Sequence, residues 1–217
     1  MARVNPFSVF TLRAPRVHTI EMARYDSSSD EALIEAIQRG DGDAAACLYY
    51  RHLDRVHRIC DRIVLDSSQV PDCVQEVWMK VFRNLGRFRC EQSFAAWLNT
   101  VTANTAIDYY RRTRRQGHHA DIEEIGDEAL VTEEGSGDPS FDDATLRRRI
   151  HEALEEISVN QRTAFVLRYF EEVPVAEIAK ALRCREGTVR THLRRCLLAL
   201  RAKLADRLNQ EVQEYGQ

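Results

Sequence analysis

The chain has 217 residues, 44% apolar and 30% charged, which is room for one large or two small packed domains. No apolar run approaches the roughly 20 residues that span a bilayer, and the N-terminus lacks the apolar stretch of a secretory signal, so a cytoplasmic protein without direct membrane insertion is expected. The formal net charge of −3 hides a segregation: residues 116–146 hold ten acids and no Lys or Arg, so the remainder carries +7, a balance suited to a polyanionic partner.

Residues 1–29 have no sustained period, end in Asp26, Ser27, Ser28 and Ser29, and read as a disordered tail. Met22 opens the same Met-Ala-Arg as Met1, so an alternative translation start at Met22 is expected. From Asp30 to about Arg115 the pattern is helical. A first helix carries Leu33, Ile34 and Ile37 and stops at Gly40. A second starts after Asp43, with a stripe of Leu48, Leu53, Val56, Ile59, Cys60 and Ile63 that fades into Asp66, Ser67 and Ser68. A third begins near Pro71, tolerated in a first turn whose amides have no helical partner. Its apolar face is Cys73, Val74, Val77, Trp78, Val81 and Phe82, and Asp72, Gln75, Glu76 and Lys80 lie opposite. After Gly86 comes a loop, Arg87 to Gln92, and Ser93 is placed to cap a fourth helix that runs from Phe94 into the Arg111 to Arg115 cluster. Trp97 in it reads as a core residue rather than a stacking platform.

Residues 116–145 combine the acids with Gly126, Gly135, Gly137 and Pro139, the composition of a flexible, self-repelling linker. Periodicity returns over 146–205 with Ile150, Leu154 and Ile157. Ser158 and Gln161 then form a capping box for a helix holding Phe165, Val166, Tyr169 and Phe170. Residues 173–200 read as two short helices joined by a tight turn, the second with Val189, Leu193, Leu197 and Leu200 as its apolar stripe and Arg190, Thr191, Arg194 and Arg195 elsewhere: a helix-turn-helix with a basic reading helix. Residues 206–217 form a C-terminal tail. No strand pattern of convincing length appears, so the fold class is all-α: two small helical domains joined by a flexible acidic linker.

Catalytic chemistry finds little support. There is no Gly-rich phosphate loop, no H-E-x-x-H and no Asp-rich metal loop. The six cysteines include no C-x-x-C pair and read as buried thiols; Cys184, Cys196 and His192 are the one weak candidate for a metal or redox role, and His118 with His119 read as solvated. Tyr109 and Tyr110 beside Arg111 and Arg112 have the look of a recombinase nucleophile with phosphate clamps, but that chemistry needs further Arg and His from a larger domain. No enzyme activity, cofactor or metal is expected.

Nucleic-acid binding has two loci: the helix-turn-helix, and the end of the fourth helix with Asn104, Asp108, Arg111, Arg112, Arg114 and Arg115. The order of D-C-V-Q-E-V-W at 72–78, F-x-x-W-L at 94–98 and the Asp108-Tyr109-Tyr110-Arg111-Arg112 run, all ahead of the linker and the helix-turn-helix, resembles a bacterial RNA polymerase sigma factor. It is similar to the extracytoplasmic-function group of the sigma-70 family, which keeps only the second and fourth conserved regions; the likeness spans roughly residues 30–115 and 146–205.

That resemblance implies roles. Asp72, Gln75 and Glu76 match D-x-x-Q-E and, with Lys80 as neighbour, would dock on the clamp coiled coil of the polymerase β′ subunit, with the β subunit a further contact. Arg87 and Arg89 lie in the loop that would capture a base flipped from the −10 element, where unstacking costs a few kcal/mol. Asn104, Asp108, Arg111 and Arg112 would sit against its upstream part. Arg185, Glu186, Thr188, Arg190, Thr191 and Arg194 would read the −35 element, with Arg195 on phosphate. Promoter DNA, core polymerase and an anti-sigma factor are the implied partners. The chain departs from the family pattern at Ile157-Ser158-Val159, at Pro174 where Ser often caps, and at Arg183 in place of a turn glycine. Rival readings are a stand-alone helix-turn-helix regulator, which binds an operator without polymerase; a DNA-rearranging enzyme using Tyr109 or Tyr110; and a degenerate sigma-like protein that only titrates partners.

Overall fold

The computed structural model describes residues 25, 27–88, 93–116, 153–155 and 157–214. The 116–145 linker beyond Gln116 with His118 and His119, nearly all of the N-terminal tail including Met22, Arg89, Cys90, Ile150 and residues 215–217 lie outside these residues, whereas 206–214, expected as a tail, continue the last helix. Every described element is helical, and the chain divides into two compact units between Ala106 and Ile107.

In the first unit α1 (Asp30–Gln38) is capped by Ser29, whose hydroxyl accepts from the Ala32 amide at 3.2 Å. It ends in a Schellman motif: Gly40 has φ +96°, its N–H reaches the Ile37 carbonyl, and the Asp41 N–H reaches that of Ala36. The next helix, α2 (Gly42–Val64), starts earlier than the sequence suggests, because the Asp41 carboxylate rather than Asp43 accepts the first free amides, those of Asp43 and Ala44. Its buried stripe holds Leu48, Val56, Ile59, Cys60 and Ile63 as expected, but His52 takes the inward place and Leu53 is only half-buried. Polarity does not keep His52 out, since its Nε2 meets the Asp30 carboxylate at 2.8 Å and its ring packs edge-on against Phe94. Arg51 donates to the same carboxylate at 2.9 Å. Burial pushes the Asp30 carboxyl up, yet the hydrogen bonds from His52 and Arg51 outweigh it and hold it below its ordinary value. Tyr25 is tied to this unit too, its phenol donating to Asp41 at 2.6 Å.

Helix α3 (Val70–Leu85), with Pro71 in its first turn, lies on α2 and buries Cys73, Val74, Val77, Trp78 and Val81. Cys60 and Cys73 meet across that interface, sulfur to sulfur at 3.6 Å. Helix α4 (Phe94–Gln116) opens on an aromatic cluster in which Phe88, Phe94 and Trp97 have ring centroids 5.2–5.8 Å apart.

In the second unit, which includes the last turns of α4, Ser158 caps α5 (Val159–Phe165) by accepting from the Gln161 amide at 3.4 Å. The chain then widens into a π-helical turn, Val166–Phe170, that buries Val166 and Leu167 and rolls Tyr169 and Phe170 outward. Helix α6 (Val175–Ala181) follows Pro174, which offers no capping side chain, and α7 (Glu186–Glu214) packs on both α5 and α6. Arg162 is fully buried here; it donates to the Leu154 carbonyl at 2.9 Å and stacks over Tyr110 at 4.5 Å. Burial draws its guanidinium below the ordinary value, with Tyr110 opposing.

Candidate nucleic-acid interface

A helix advances about 100° per residue, so the buried face of α7 is set by where its neighbours lie. Val189, His192, Leu193, Cys196 and Leu200 fall within one arc and are buried. Leu197 does not join them: it is 43% exposed, because it sits about 80° round the helix from Val189. Val189, Leu193 and Leu200 are inward as expected, and Cys196 with His192 completes the arc in place of Leu197. Burial pushes the Cys196 thiol up to about 12, which suits a packing role. Among the described residues no three His, Cys, Asp or Glu side chains form a metal-binding group, so Cys184, His192 and Cys196 are not brought together as ligands.

The outward face of α7 presents Glu186, Thr188, Arg190 and Arg194 in the open, with Thr191 and Arg195 half-buried, and Arg185 is exposed immediately before the helix. Glu186 and Arg190 form an i,i+4 pair at 2.9 Å. The pair is well exposed, so it orients the guanidinium at little energetic cost to whatever separates it. The Thr191 hydroxyl donates to the Gly187 carbonyl at 3.1 Å. The turn ahead of the helix holds Arg183 at φ +53°.

On α4, Asp108 and Arg112 are exposed, Arg111 is half-buried and bonded to the Asn160 carbonyl oxygen of its amide at 3.3 Å, and Asn104 donates back to the Thr100 carbonyl at 3.0 Å. Tyr109 and Tyr110 are both buried, under Arg112 and under Arg114 and Arg162 respectively. That covers the phenols the recombinase reading would need as nucleophiles. Arg87 is exposed where α3 ends, and Phe88 anchors the start of the 87–92 loop on Phe94 and Trp97.

A third surface lies on α3. Asp72 and Gln75 are exposed, and Glu76 and Lys80 are half-buried and paired at 3.0 Å. Met79, absent from the sequence-based set, lies among them and is 39% exposed. Helical spacing could have found it, one turn after Gln75 and Glu76. An apolar residue inside a polar patch offers a partner a desolvated contact as well as hydrogen bonds.

Family models for Sigma-70 region 2 and for Sigma-70, region 4 match residues 48–116 and 147–200. The RNA polymerase sigma-H factor of Pseudomonas aeruginosa is 30% identical over 177 residues, covering 79% of this chain and 91% of that protein. The ECF RNA polymerase sigma-E factor of Escherichia coli is 30% identical over 181 residues, covering 81% and 94%. Among solved structures, the sigma factor RpoE of Bartonella quintana, in complex with the anti-sigma factor NepR, shares the fold at a TM-score of 0.55 and 22% identity, covering 72% of this chain and 94% of that one.

Proposed function

The chain belongs to the extracytoplasmic-function group of the sigma-70 family, and from that premise we propose how its residues divide the work of a sigma factor. As a sigma factor it binds core RNA polymerase, directs promoter-specific initiation through the −10 and −35 elements, and opens the DNA. It is not an enzyme; the polymerase carries out the nucleotide chemistry.

Residues 30–115 form the polymerase-docking and −10 domain, 116–145 the connector and 146–205 the −35 domain. Asp72, Gln75, Glu76 and Lys80 dock on the β′ clamp coiled coil, and Met79 fills an apolar recess at the centre of that contact. The observation that carries this assignment is the exposure of Met79 between Asp72 and Gln75 on one helix face. Arg87, Arg89, Asn104, Asp108, Arg111 and Arg112 handle the −10 element, and Arg185, Glu186, Thr188, Arg190, Thr191, Arg194 and Arg195 handle the −35 element. The protein acts in the cytoplasm, where an anti-sigma factor holds it inactive until its signal arrives.

The test is reconstitution with purified core polymerase. The Asp72→Ala, Gln75→Ala double variant should lose at least about tenfold in core affinity, and Met79→Ala about as much, while both keep wild-type thermal unfolding. Core affinity unchanged in both would leave this face merely solvated, and run-off transcription lost without loss of core binding would move the assignment to the DNA-reading residues.

A further inference from the structure

We propose that Gly187 is a positioning residue for −35 recognition: its missing side chain lets the reading helix approach the DNA to contact distance. This rests on the reading of α7 as the −35 helix. Gly40 is required by its φ of +96°, Gly42 opens α2 directly behind its Asp41 cap, and Gly86 is the C-cap of α3. Gly187 holds none of these places. It lies in the first turn of α7 with no positive φ, and a Cβ built on it would meet nothing within 4 Å. Neither backbone geometry nor packing inside the protein asks for glycine there, although glycine weakens a helix relative to alanine.

Its place on the helix supplies the reason. Thr191 and Arg194 follow at i+4 and i+7, with Arg190 at i+3, so Gly187 lies on the midline of the exposed stripe and faces directly away from buried Val189, Leu193 and Cys196. In a helix-turn-helix the first turn of the reading helix is the part that meets the base edges. A residue on that midline in that turn is where the duplex comes nearest, and a Cβ added there would hold Arg190 and Arg194 away from the groove by about the length of a carbon–carbon bond, roughly 1.5 Å.

The experiment uses the full chain with core polymerase on two templates: a promoter fragment from which the wild type starts a run-off transcript, and the same fragment with the bases of its −35 element scrambled. Gly187→Ala should melt about 1–4 °C above wild type, since alanine is the better helix former, yet cut transcription from the intact fragment about tenfold while leaving the scrambled one unchanged. Gly187→Leu should cut it further. Stability and −35 dependence moving in opposite directions is the signature that a merely structural glycine would not give. The inference is overturned if Gly187→Ala keeps full transcription from the intact fragment, or if it lowers both melting temperature and both transcripts together. An Arg190→Ala, Arg194→Ala variant separates the levels: if it removes the difference between templates and Gly187→Ala does not, only the role of Gly187 falls. If neither does, the −35 reading of α7 falls with it.

Discussion

Arg183 offers a direct test of how far a sequence departure strains the reading domain. The turn between α6 and α7 is a Schellman motif, with the Arg183 N–H on the Lys180 carbonyl at 3.2 Å and the Cys184 N–H on that of Ala179 at 3.0 Å. The motif needs a left-handed residue at its pivot, and Arg183 supplies it at φ +53°. The same motif ends α1, where the pivot is Gly40. A residue with a Cβ pays about 1–2 kcal/mol to enter this region, whereas glycine gives back about 0.4–1 kcal/mol through its freer unfolded chain. Arg183→Gly should therefore stabilise the second unit by about 0.5–1 kcal/mol. The gain reads as about 2- to 5-fold slower hydrogen exchange at the most protected amides of α5–α7 in the full chain. Arg183→Ala keeps the Cβ and removes only an exposed charge, so it should gain nothing. Equal protection in the glycine and alanine variants, or a loss with glycine, would refute the claim that the pivot is strained.

Two further substitutions probe a half-buried and a fully buried charge. Asp30→Asn should destabilise the first unit by about 1–2 kcal/mol at pH 7, through weakened bonds to His52 and Arg51. Because the folded Asp30 carboxyl titrates below its ordinary 3.8, its contribution is complete above that value and vanishes as pH falls through the lower folded one. Urea unfolding of wild type and variant should thus converge in strong acid, and a gap that stays constant down to pH 2 would contradict the ion-pair account. Arg162→Ala should cost about 2–4 kcal/mol by opening a cavity and orphaning the Leu154 carbonyl, whereas Arg162→Met, which keeps the volume and removes a desolvated charge, should cost less than about half as much. Equal losses in the two, measured by thermal unfolding, would mean that the guanidinium and not its bulk holds the unit together.

The periodic leucines, valines and isoleucines of α1, α2 and α3, the stops at Gly40 and Gly86, and the Ser158 cap were legible in the chain alone, since each depends on local spacing and on backbone groups a few residues away. So was the polar face of α3, because helical geometry alone brings Asp72, Gln75 and Glu76 together. Tertiary structure decided what spacing leaves open. It turned His52 inward because Asp30, from another helix, was there to receive it. It buried Arg162 against the Tyr110 ring, although a lone arginine in a sequence reads as solvated. It chose Cys196 over Leu197 for the core of α7, a choice of about 100° that depends on where α5 and α6 lie. Sequence determines which faces a helix owns; which face is spent on the core, and so which is left for DNA or polymerase, is settled only when the neighbours pack against it.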